Sequence, residues 1–141
     1  MKYIDKDDLI SLSFERFIDE SSENDTEILD DIEAKQIGII KSLIASRYNV
    51  AAIFDETNPI KDEILINILA TLVLYGIIRR NAPRKVTTDL KEERDRVMST
   101  LEKIATGRIT LNGLPLPVDE SGNGVNSNTL YGNNTNEDFY I

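Results

Sequence analysis

At 141 residues, 40% hydrophobic and 29% charged, the chain has the make-up of one soluble domain with a single hydrophobic core. It contains no histidine, cysteine or tryptophan, which excludes imidazole bases, thiol nucleophiles, thiolate or imidazole metal sites and disulfides. Its net charge of −9 resides in residues 1–33, where twelve acids face only Lys2, Lys6 and Arg16; from residue 34 onward thirteen bases balance thirteen acids.

Met1-Lys2-Tyr3-Ile4-Asp5 turns acidic at once and has no apolar stretch of the kind a signal peptide needs. Asp5 to Asp8, followed by Leu9, Ile10 and Leu12, predicts a short helix with carboxylates at the positive end of its dipole. Residues 21–25 read as a polar loop. Thr26 is the expected cap of a second helix whose apolar positions Leu29, Ile32, Ile37, Ile40, Leu43 and Ile44 carry it to Arg47 or Tyr48.

Asn58-Pro59 is the expected start of a third helix, with Asn as cap and Pro at the first position. From Ile64 to Ile78 it is apolar nearly all round, broken only by Asn67, Thr71 and Gly76, so something must surround it. The run is too short for a membrane span, which takes about 20 residues. Ile64, Ile68, Leu72 and Tyr75 are the expected packing positions against a neighbouring subunit. Arg79, Arg80, Arg84 and Lys85 cluster around Pro83, where cations oppose the negative helix end and offer a basic contact patch. A fourth helix carries Leu90, Val97, Met98, Leu101, Ile104 and Ala105 on one face and stops at Gly107.

The character then changes. Arg108 to Leu111 is a short strand candidate, Asn112-Gly113 is a hairpin turn signal, and Leu114-Pro115-Leu116-Pro117-Val118 suits only an edge strand or an extended arm. Residues 119–141 are rich in Asn and Gly with little to bury, so a flexible tail is expected. Leu130, Tyr131, Phe139, Tyr140 and Ile141 punctuate it as apolar anchors for a partner. The expected organisation is a mainly α fold: a four-helix bundle over 1–107, a hairpin or arm over 108–118, and a polar tail over 119–141.

Little here points to catalysis. Counting from Asp19, oxygen-bearing side chains fall in the order of a calcium-binding EF-hand loop, with Asp19, Asp25 and Asp30 as its principal acids. Asn24 occupies the position that calls for Gly, and Asp30 is shorter than the usual closing Glu. No Gly-rich phosphate loop or nucleophile elbow is present. The expectation is therefore no enzyme, no resident metal and no cofactor.

Several phrases together resemble the tailed-phage head–tail connector, or neck adaptor, proteins, including the Mu-type neck protein family. They are the opening Met1 to Ile10, the helix ending Ile40 to Tyr48, the apolar helix closing on a basic turn from Leu69 to Pro83, and Glu102 to Leu111. The resemblance runs in order over residues 1–117. It implies a connector-type bundle in a ring, commonly of twelve subunits (a dodecamer), made in the host cytoplasm and placed in the virion between portal protein and tail. Such a ring carries DNA only as passing cargo, has no catalytic residues and docks adjacent neck or tail ring proteins. The competing expectation from charge alone is a soluble acidic helical regulator that binds a basic protein partner.

Overall fold

A computed structural model describes residues 1–23, 25–81, 86–119 and 121–122 of the chain. Six helices form among them, and no β-ladder. The mainly α fold is thus as expected, with two short helices more than the sequence pattern indicates.

Helix α1 (Lys6–Ile10) starts where Asp5 and Asp8 stand; the Asp8 carboxylate accepts the Asp5 N–H at 2.8 Å. Helix α2 (Glu15–Ser22) takes in Ser21 and Ser22, the first two residues of the expected polar loop. Ile18, Ser21 and Ser22 lie at helical spacing on its buried face, so two serines that look loop-like are inside. Helix α3 (Thr26–Ile44) is capped by Asp25, whose carboxylate accepts the Glu27 N–H at 2.9 Å, not by Thr26. It stops at Ile44, short of Arg47, and a four-residue helix α4 (Val50–Ile53) follows, capped by Asn49.

The expected start at Asn58-Pro59 is not used. The Asp55 carboxylate accepts the N–H of Thr57 at 2.9 Å and of Asn58 at 2.8 Å, which closes a turn there. Helix α5 (Glu63–Arg80) begins four residues later, because the Asp62 carboxylate satisfies two orphan donors, Ile64 N–H and Leu65 N–H, both at 3.0 Å. Helix α6 (Thr88–Ala105) is capped by Thr87.

Helix α5 is the centre of the molecule. Leu65, Ile68, Leu69, Ala70, Leu72, Val73, Leu74 and Ile77 are all buried, and α1, α2, α3 and α6 pack around them. Most of its apolar surface is therefore covered by its own chain, with Ile64 left 43% exposed. Gly76 lets α3 come close: a Cβ there would sit 2.9 Å from the Ile32 Cγ2 methyl.

The N-terminus is part of this core. Tyr3 and Ile4 are buried, and the Tyr3 ring packs on Phe54 with centroids 4.7 Å apart. The Tyr3 hydroxyl donates to Ile60 O at 2.9 Å and accepts the Asp62 N–H at 3.2 Å. Burial pushes its phenol from 10.0 up to about 12; the Asp62 N–H opposes the shift and the Asp62 charge adds to it. A folded-state value above the unfolded one means stability is complete below pH 10 and is lost as pH rises towards 12. The melting temperature is expected to fall across that window, and Tyr3→Phe to flatten the fall.

Helix α6 ends as expected at Gly107. With φ at +79° it donates to Ile104 O at 3.1 Å, and Ile109 N–H returns to Lys103 O at 3.1 Å. A Cβ at Gly107 would collide with the Arg47 guanidinium. Gly107→Ala is expected to cost about 1–2 kcal/mol from the left-handed backbone, with Arg47 displaced besides; a urea titration measures it.

Beyond it the arm alternative is realised and the hairpin is not. The Asn112-Gly113 turn forms, yet the donors around it go elsewhere: Leu111 N–H to the Tyr48 hydroxyl at 2.8 Å. The reverse contact is Asn49 N–H to Pro115 O, also at 2.8 Å. Leu111 and Leu114 are buried while Leu116 and Val118 stay exposed, so the arm lies against the α3–α4 junction.

Candidate apolar groove

The sequence-expected sites are dispersed by this fold. Of the four packing positions, Ile68 and Leu72 are interior, with 2% and 3% of their surface exposed. Only Ile64, at 43%, faces out. Tyr75 is half-buried, with the Arg94 guanidinium 5.2 Å from its ring centre. These four do not make one subunit-facing surface, because α5 runs through the middle of its own bundle. Arg79 and Arg80 lie exposed in the last turn of α5, with Arg80 4.0 Å from Glu23. Arg84 and Lys85 lie outside the described residues, as do Leu130, Tyr131, Phe139, Tyr140 and Ile141.

The order of acids that suggested a calcium loop does not build one. Asp19 is inside α2 and meets the Lys6 ammonium at 2.7 Å, Asp25 caps α3, and Asp30 is inside α3, paired with the Met1 amino group. Each of the three acids is taken up by a separate partner: Lys6, the Glu27 N–H and the Met1 amino group. Among the described residues no group of three or more acids is placed to hold a metal ion. Lys6 also meets Glu15 at 3.1 Å, and the two carboxylates hold its ammonium above the ordinary value.

What the fold does assemble is an apolar groove of about 780 Å³. One wall is the α1–α2 corner, with Ile10, Leu12, Phe14 and Phe17; the floor and far wall are Thr71, Leu74 and Ile78 of α5 and Leu90 of α6. Among the described residues, Glu15, Asp89 and Glu93 are the ionisable groups that line it. Phe14 is 76% exposed, and its ring meets Phe17 edge-on at 5.7 Å. Phe14 occupies the N-cap of α2 and makes no capping bond there. Ser or Asp at that position is worth about 1 kcal/mol, so a protruding phenyl stands where local stability favours a polar residue. The sequence signal for it is the pair Phe14 and Phe17, three residues apart at the start of an otherwise polar helix.

These features define a small, mainly helical protein with a buried central helix and an exposed apolar groove; none of its described helices is long and apolar enough to cross a membrane. The chain belongs to the bacteriophage Mu Gp36 family, whose model matches residues 1–126. No curated protein matches it. The family match ends before Leu130, so the five tail anchors lie beyond it.

Proposed function

We propose that this chain is a structural virion protein, a head–tail connector that forms a ring between portal and tail, extends the DNA conduit and docks further neck proteins. The observation that carries the reading is the match of residues 1–126 to a bacteriophage protein family. The architecture supports it: a single packed bundle offers a rigid block, and its exposed apolar groove offers something to assemble through. In this role the chain is not an enzyme, its partners are copies of itself, the portal protein and adjacent ring proteins, and DNA passes without being gripped. The acidic first third, with all of the chain's net −9, suits a surface that repels a nucleic-acid backbone.

Peptide mapping of purified virions tests the reading. The expected result is this chain in mature particles, recovered with the neck after disassembly and seen as a ring by electron microscopy. Its absence from particles that are otherwise complete and infectious would overturn it.

A further inference from the structure

The groove is an apolar surface that the described residues leave uncovered, and its most exposed member, Phe14, stands where a polar cap would stabilise α2. Charge does not choose what covers it. Residues 6–20 and 71–96, which build and surround the groove, together hold nine bases and nine acids. Of the three acids that line it, two are already taken up, Glu15 by Lys6 at 3.1 Å and Glu93 by Arg96 at 2.8 Å. The third, Asp89, lies in the first turn of α6, where the helix dipole is positive. Apolar content and reach therefore decide the occupant.

The chain itself carries a segment with both. Residues 123–141 lie outside the described residues and contain Phe139-Tyr140-Ile141, the longest run of large apolar side chains beyond the arm. The sixteen residues between Gly122 and Phe139 include six Asn and two Gly and no proline. The arm leaves one end of α6 and the groove is built at the other. From Leu90 to Ala105 the helix rises about 22 Å. A polar linker that covers the seventeen steps from Gly122 to Phe139 has a root-mean-square span of about 21–25 Å, which matches. The eight steps to Leu130 give only about 14–17 Å, which falls short.

From this match of surface, side chains and reach we infer that the groove of each chain is the seat of its own Phe139-Tyr140-Ile141. A tether whose span fits the distance holds its cargo at a millimolar effective concentration, far above that of second copies in dilute solution. The incoming rings join Phe14 and Phe17, which already meet edge-on at 5.7 Å, and aromatic packing of this kind adds to the gain from burial. The inference does not depend on the ring reading. Where both hold, a ring partner that uses the groove has to displace this segment first, and free chains stay apart until that partner is met.

The chain has no cysteine, so two can be introduced without background: Ser13→Cys on the groove wall and Asn136→Cys three residues ahead of the apolar run. In dilute full-length protein under mild oxidation, a disulfide within one chain is expected. It forms about tenfold or more faster than when Phe139→Ser, Tyr140→Ser and Ile141→Ser are added. Equal rates would mean chance collision and overturn the inference. Covalent dimers as the main product would mean that a second copy fills the groove, and overturn it too. A second measurement needs no cross-link. A labelled synthetic peptide of residues 136–141 is expected to bind the full-length triple-serine chain, and to bind the parent about tenfold or more weakly because its groove is already filled. Adding Phe14→Asp to the triple-serine chain is expected to abolish that binding. Phe14 is 76% exposed and makes no capping bond, so circular dichroism is expected to show unchanged folding. Equal binding to both chains, or binding that survives Phe14→Asp, sinks the docking and leaves the ring reading to be decided on virions.

Discussion

Replacing Glu33 by alanine is expected to lower folding stability by about 2–5 kcal/mol, several times the cost of an ordinary surface change. Glu33 is 2% exposed and sits in α3, yet its partners are the first residues of the chain. One carboxylate oxygen accepts the N–H of Tyr3 and of Ile4, both at 2.9 Å, and the other accepts the Lys2 N–H at 2.6 Å. Bonds to an ionised acceptor are the stronger kind. Removing it strands three backbone donors or releases the segment, and release would also uncover Tyr3 and Ile4. Glu33→Gln provides the graded control: it keeps one oxygen for Tyr3 and Ile4 but can turn an amide donor towards Lys2 N–H, so an intermediate loss is expected. Urea unfolding followed by circular dichroism checks both, and a Glu33→Ala midpoint equal to the parent's would show that the clasp is incidental.

Leu72→Asp is expected to leave the isolated chain unfolded. Leu72 is 3% exposed among the residues of the central helix, and Ile68→Asp belongs with it at 2%. An unpaired carboxylate forced into an apolar interior costs several kcal/mol, and the total stability of a domain this size is about 5–15 kcal/mol. Had α5 faced a neighbouring subunit, the same substitutions would spare the lone chain and disturb only assembly. Ile64→Asp, on the same helix but 43% exposed, is the contrast: a change within about 0.5 kcal/mol is expected there. Far-UV circular dichroism of the three purified variants distinguishes the cases.

The fate of α5 shows how far pattern reading reaches. An apolar run from Ile64 to Ile78 says that every side of the helix is covered. It does not say by what, and a second copy and the chain's own α1, α2, α3 and α6 leave the same signature. The arm teaches the same lesson about donors. Asn112-Gly113 does turn, but the partner for Leu111 N–H came from Tyr48, 63 residues away, and no local rule weighs that competitor. Asn58-Pro59 carries a helix-start signal, but a turn closed by Asp55 takes up that segment and Asp62 caps α5 instead. Helix α2 leaves no clear apolar pattern, because Ile18 is its one buried apolar residue and its other buried positions are serines. The groove is hidden for the same reason, since one of its walls is the α1–α2 corner. The helix start at Asp5, the stop at Gly107 and the dominance of helix are all legible, because each depends on residues within one turn; the Thr87 cap of α6 is supplied by the structure.

The central position of α5 also has a consequence for the order of events during synthesis. Its wrapping helices lie on both sides of it in the chain: α1, α2 and α3 emerge before it, α6 after it. A nascent chain that has extruded residue 80 therefore displays the most apolar helix with one flank bare, and stays so until residues 88–105 follow. During that interval the protein is at its most prone to clump with its own copies, at a surface that the finished molecule largely covers. For a protein proposed to assemble from many identical chains, finishing each fold before the copies meet is what separates orderly assembly from aggregation.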